Sequence, residues 1–120
     1  MALPIPNFDE TYLASVSLTL AVELPLYGWL LVRAGHRLKR VLVLAALGTL
    51  CTHPVLWFVM PRFFEDYWTY VTVCEAAIIG IEAGVLRFGL PTSNFRVALS
   101  ASAWANAASV FVGALVSWLF

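Results

Sequence analysis

Four ionisable side chains and one amide stand inside stretches that are otherwise apolar: Glu23, His53, Glu75, Glu82 and Asn106. In a bilayer each ionised group costs from about 2.5 kcal/mol upward, so such residues mark ion or proton chemistry before they mark packing. Three carboxyl groups face one imidazole, and no lysine or arginine is expected in the hydrocarbon region, Arg87 lying at the end of its stretch. Arg87 follows Glu82 by five residues, about 140° around a helix, and is poorly placed to pair with it. The group is therefore neutral only if two glutamates hold protons or if a cation joins them.

Two chemistries follow from that inventory. In the first, Glu23, His53 and Glu75 bind a divalent transition metal, with Asn106 as a neutral oxygen donor; imidazole with carboxylate suits manganese, iron or zinc. In the second, the same groups hold protons and Glu82 is an inner station of a relay toward the cytoplasm. The structural alternative is that neutral carboxyl groups, His53 and Asn106 join helices by hydrogen bonds worth about 0.6–2 kcal/mol each. The chain contains neither a Glu-x-x-His pair nor a His-Glu-x-x-His motif, so the signal is a constellation rather than a signature.

The elements that must position these groups follow from composition. The chain has 120 residues, 62% hydrophobic and 12% charged, with a mean hydropathy of +0.87. A soluble domain is nearer ~45–50% apolar and ~25% charged, so the expectation is an integral membrane protein with the lipid bilayer as its first partner. Zero formal net charge without a basic, aromatic-rich surface run argues against nucleic acid. The acidic N-terminal stretch "NFDE" lacks the basic start of a cleaved signal, so the first apolar run is expected to be retained.

Runs of about 20 apolar residues occur at 13–32, 41–60, 68–88 and 97–118, separated by short segments rich in Pro, Gly or charge. Short connectors make consecutive helices antiparallel. The expected fold is thus all-α: one domain over 1–120, a polytopic, antiparallel four-transmembrane-helix bundle. Basic residues concentrate in the connectors 33–40 and 87–96, which places those connectors in the cytoplasm and both termini on the outside.

Measured from those basic residues at ~1.5 Å per residue, Glu23, His53, Glu75 and Asn106 share a slab about 5 Å thick near the midplane, with Glu82 about 10 Å nearer the cytoplasm. Polar residues at helical spacing, Thr19 before Glu23, Thr49 before His53, Thr72 before Glu75 and Ser109 after Asn106, supply a supporting shell. Tyr27 is expected either to bond Glu23 or to sit at the interface. Pro25 and Pro54 each leave a carbonyl four residues earlier without its donor, and the small residues Ala105, Ser109 and Gly113 allow close helix approach, within the chain or in a homo-oligomer. Cys51 and Cys74 fall off the polar faces and are expected to pack.

The functional expectation is a small membrane protein whose buried Glu/His/Asn site binds a cation, a divalent metal or protons, and moves it across the bilayer. An intramembrane metalloenzyme or redox protein and an accessory subunit of a larger membrane complex are the competing classes. No nucleophile spacing assigns catalytic residues or a substrate.

Overall fold

A computed structural model describes residues 10–91 and 94–119. Four helices account for nearly all of them: α1 (Glu10–Arg33), α2 (Leu38–Phe58), α3 (Tyr67–Gly89) and α4 (Phe95–Leu119), with a single 3-10 turn at Met60–Phe63. Among the described residues there is no strand. Each helix packs on its neighbours in sequence, and α4 closes the ring against α1. The pairs α1/α3 and α2/α4 are therefore diagonals across a square interior.

Local chemistry explains the helix ends. Gly35, at φ 97°, takes the left-handed position that a side chain disfavours, while Gly35 N–H bonds Val32 O and His36 N–H bonds Leu31 O, each at 3.0 Å. This 5→2 and 6→1 pair satisfies carbonyls that the end of α1 leaves open. The second helix stops at Phe58, two residues before the apolar run ends, because Pro61 cannot donate to a continuing helix. Asp66 caps α3 by accepting from the Thr69 amide at 2.7 Å and its hydroxyl at 2.9 Å. Asn94 likewise accepts from the Val97 amide at 2.9 Å at the start of α4. The helices run through Pro25 and Pro54 without a break.

Three helices, Thr11–Arg33, Leu38–Phe58 and Phe95–Leu119, are long and apolar enough to cross a membrane. The third matches them in length but carries Glu75, Glu82 and Arg87. Large apolar side chains point outward all round, among them Trp29, Leu47, Ile81, Phe88, Trp104 and Phe111. An apolar exterior on this scale is costly in water and suited to lipid. Cys51, expected to pack, is on this exposed face, whereas Cys74 is buried.

The interior divides into two halves. Toward the basic connectors it is a dry core of Leu31, Val41, Ala45, Ala83, Leu86 and Leu90, closed by Ala98 and Ala101. Small residues let α4 lie close there, but Gly113 does not serve that purpose: a Cβ placed on it would meet nothing within 4 Å. Toward the other end the helices diverge around a cavity of about 820 Å³.

Close approach sets the depth of α3. A Cβ on Gly89 would fall 2.6 Å from the Leu44 side chain, and one on Gly48 would fall 3.3 Å from Cγ of Glu82. Arg40 Nε bonds Gly89 O at 2.9 Å and pins the same end. Glu82 consequently lies beside Gly48 and Thr49. The expected depth, with Glu75 level with Glu23 and Asn106, is corrected: Glu82 takes that level beside Gly48, Thr49 and Asn106, and Glu75 stands two turns higher on α3.

Candidate functional site

The floor of the cavity is a carboxyl pair. Glu23 on α1 and Glu82 on α3 are 1% and 3% exposed, with Thr49 of α2 between them. Thr49 Oγ1 lies 2.7 Å from Glu23 Oε2 and 3.3 Å from Glu82 Oε1. A hydroxyl has a single proton to give. When Thr49 donates to Glu23, its second contact is a hydrogen bond only if Glu82 donates to it.

The remaining oxygens are also engaged. Glu82 Oε2 accepts from the Tyr27 hydroxyl at 2.6 Å and from the Asn106 amide at 2.7 Å. Glu23 Oε1 is 3.0 Å from Ser109 Oγ, which is equally far from the carbonyl of Asn106. Asn106 is held in turn by its second amide proton, which reaches Ser102 O at 2.9 Å, and Ser102 Oγ bonds Ile79 O on α3 at 2.8 Å. All four helices thus contribute to one polar layer. Among the described residues no lysine, arginine or histidine donates to Glu23 or Glu82.

Helix periodicity explains how these groups meet. Glu23 and Tyr27 are one turn apart on α1, and Ser102, Asn106 and Ser109 follow one stripe on α4. The buried face of α3 is Cys74, Ile78, Glu82, Ala83 and Leu86. Thr72 lies about 120° around the helix from Ile78 and is exposed, so it supports no member of the site. Thr52 turns its hydroxyl back to Gly48 O at 2.9 Å, satisfying itself within α2.

His53 stands one turn above Thr49 and apart from the carboxyl pair. Its Nε2 is 3.5 Å from Thr19 Oγ1, and its ring stacks on Trp57 with centroids 6.1 Å apart and planes 19° apart. Tyr12 packs against the same ring at 5.6 Å. The other nitrogen, Nδ1, is buried without a hydrogen-bond partner among the described residues. Glu75 is two turns above Glu82 on α3, half-buried at the cavity wall.

The expected metal triad of Glu23, His53 and Glu75 is therefore not brought together. Among the described residues no three His, Cys, Asp or Glu side chains converge as a metal-binding group. The reason is the depth of α3, which delivers Glu82 to Glu23 and leaves Glu75 higher, opposite the aromatic end of α2. Thr49 and Ser109, expected as support, contact the carboxyl oxygens directly. Thr19 faces His53 rather than Glu23.

Tyr27 and Ser102 fall on the polar stripes of α1 and α4; what spacing within a helix does not supply is their partners across the bundle, Glu82 and the carbonyl of Ile79. The i, i+4 spacing of Glu23 and Tyr27 marked the right face, but the hydroxyl crosses the diagonal to Glu82. Compared with protein families, curated proteins and solved structures, the chain matches none of them.

Proposed function

We propose that this chain is a four-span membrane protein that takes up and releases a cation, protons foremost, at the Glu23–Thr49–Glu82 linkage. In this reading α3 crosses the bilayer with the other three helices, its glutamates turned inward. The basic end lies in the cytoplasm, and the cavity opens to the outside.

The observation that carries the reading is the single Thr49 hydroxyl shared by two carboxyl groups that have no cationic partner. Such a pair is satisfied when it holds one proton: Glu82 donates to Thr49, and Thr49 donates to Glu23. A proton that reaches the floor of the cavity is taken up by one carboxyl of the pair, and the threonine passes it on by exchanging which neighbour it serves. Below the pair, Leu31, Val41, Ala45 and Leu86 seal the cytoplasmic half. Movement across the membrane therefore requires a second arrangement in which that seal opens, as alternating access demands.

Infrared spectroscopy of the reconstituted protein tests the linkage. At neutral pH the wild type is expected to show a carboxylic-acid C=O band that shifts in deuterium oxide and disappears in both Glu23→Gln and Glu82→Gln. In liposomes holding a pH-sensitive dye, both variants are expected to lose most of the proton flux driven by a pH gradient. A wild type with no such band, or with flux that neither substitution reduces, would overturn the reading.

A further inference from the structure

We propose that the cavity above the carboxyl pair binds a lipophilic organic ammonium ion, with Glu75 as its counter-ion. The inference rests on the membrane-spanning reading of the preceding subsection, but it concerns a second station and does not need the Glu23–Thr49–Glu82 linkage to exchange protons.

Size is the first ground. A cavity of about 820 Å³ is far larger than a proton carrier or a bare inorganic ion needs, and falls in the ~300–1,000 Å³ range of small organic ligands. Part of its wall is apolar. Leu18, Leu56, Val71, Ile78 and Val110 line it, and an apolar body gains from contact with them where water does not.

Charge is the second ground. Among the described residues three carboxyl groups line the cavity, and no lysine or arginine does. Glu23 and Glu82 are fully engaged by hydroxyl and amide donors, whereas Glu75 has no hydrogen-bond partner among the described residues and is half-buried. A bound cation supplies the missing partner. The aromatic mouth of Trp57, Tyr67, Trp68 and Trp118 adds ring faces, which attract organic cations.

His53 is the third and independent ground. It is only 6% exposed, it lines the cavity, and its Nδ1 has no hydrogen-bond partner among the described residues. With Nε2–H turned to Thr19, Nδ1 is an acceptor lone pair that the protein itself leaves unused. A ligand that carries an N–H can donate to that lone pair, so a primary or secondary amine fits better than a group without N–H.

Three probes with one body and different heads test the proposal: phenylbutylammonium, phenylbutanol and phenylbutyrate. Each is titrated against the full chain in detergent at neutral pH, with tryptophan fluorescence as the signal and protein-free micelles as the blank. The ammonium is expected to bind saturably, at least about tenfold tighter than the alcohol, and the carboxylate not at all. Glu75→Gln is expected to reduce the preference for ammonium over alcohol to within about twofold. Gly113→Leu, whose side chain enters open space, is expected to abolish binding of both while leaving the helical circular dichroism unchanged. Equal binding of the three probes, or an undiminished ammonium preference in Glu75→Gln, would overturn it. The two readings fail separately: an infrared band without ammonium preference refutes this site alone, and ammonium preference without the band refutes the proton linkage alone.

Discussion

Replacing Thr49 with valine removes one hydroxyl from the centre of the bundle and keeps the branched shape of the side chain. Thr49 is 2% exposed, and its hydroxyl makes one strong contact, 2.7 Å to Glu23, and one weak one, 3.3 Å to Glu82. A buried acceptor left without its donor costs about 1–3 kcal/mol. Interhelical bonds inside membranes average nearer 0.6 and reach about 1.7 kcal/mol, because an unfolded helix in lipid also finds partners. Glu23 retains Ser109, and Glu82 retains Tyr27 and Asn106, so neither carboxyl is stripped. The expected destabilisation is therefore about 1–2 kcal/mol. It is read from the loss of helical circular dichroism as the fraction of dodecyl sulfate rises in mixed micelles. Thr49→Ser, which keeps the hydroxyl, is expected to lose less. Glu23→Met removes the acceptor instead, and the double variant is expected to show a coupling of about 0.5–1.5 kcal/mol between the two sites. Unchanged stability in Thr49→Val, or losses that simply add in the double variant, would refute the linkage.

Tyr27→Phe deletes the 2.6 Å bond that crosses the bundle diagonal and is expected to cost about 1–2 kcal/mol in the same assay, whereas Tyr67→Phe, at an exposed ring, should be near neutral. Gly48→Ala places a methyl group 3.3 Å from Glu82 Cγ; the gain in helix propensity, about 0.5–1 kcal/mol, offsets the crowding, so stability is expected to change by less than about 1 kcal/mol while the infrared band of the carboxyl pair shifts. Gly80→Ala, with nothing within 4 Å, is expected to stabilise by about 0.5–1 kcal/mol and leave the band in place. At the start of α3, the two Thr69 hydrogen bonds to Asp66 hold its carboxyl below the usual carboxylate range. Its contribution is therefore present above the unfolded carboxylate pKa and is lost as pH falls through the lower folded value. Hydrogen exchange of the first turn of α3 is expected to accelerate across that acidic window in the wild type and to show no such step in Asp66→Asn.

Much of this protein is local, and local properties are legible in residue order. Hydropathy and the Gly, Pro and charge punctuation mark four helical stretches, and the helical spacing of Glu23 with Tyr27 and of Ser102, Asn106 and Ser109 marks the inward faces of α1 and α4. The bounds differ by a few residues: among the described residues α1 reaches back to Glu10 rather than 13, and α2 ends at Phe58 rather than 60, ahead of Pro61. Counting charges, three carboxyl groups against one imidazole, already showed that the polar interior needs protons or a cation.

What only the tertiary structure decided is which of those polar groups meet. Depth measured along each helix assumes that all four start level, but the height of one helix against another depends on contacts between them. At α3 those contacts are Leu44 against Gly89 and Gly48 against Glu82, and they bring Glu82 rather than Glu75 to Glu23. The same height leaves Glu75 at the cavity wall, without a hydrogen-bond partner among the described residues. Residue spacing determines the face a side chain occupies, because that is a property of one helix. Its partner across the interior is set by the steric fit of two helices, a relation that periodicity within either one does not contain.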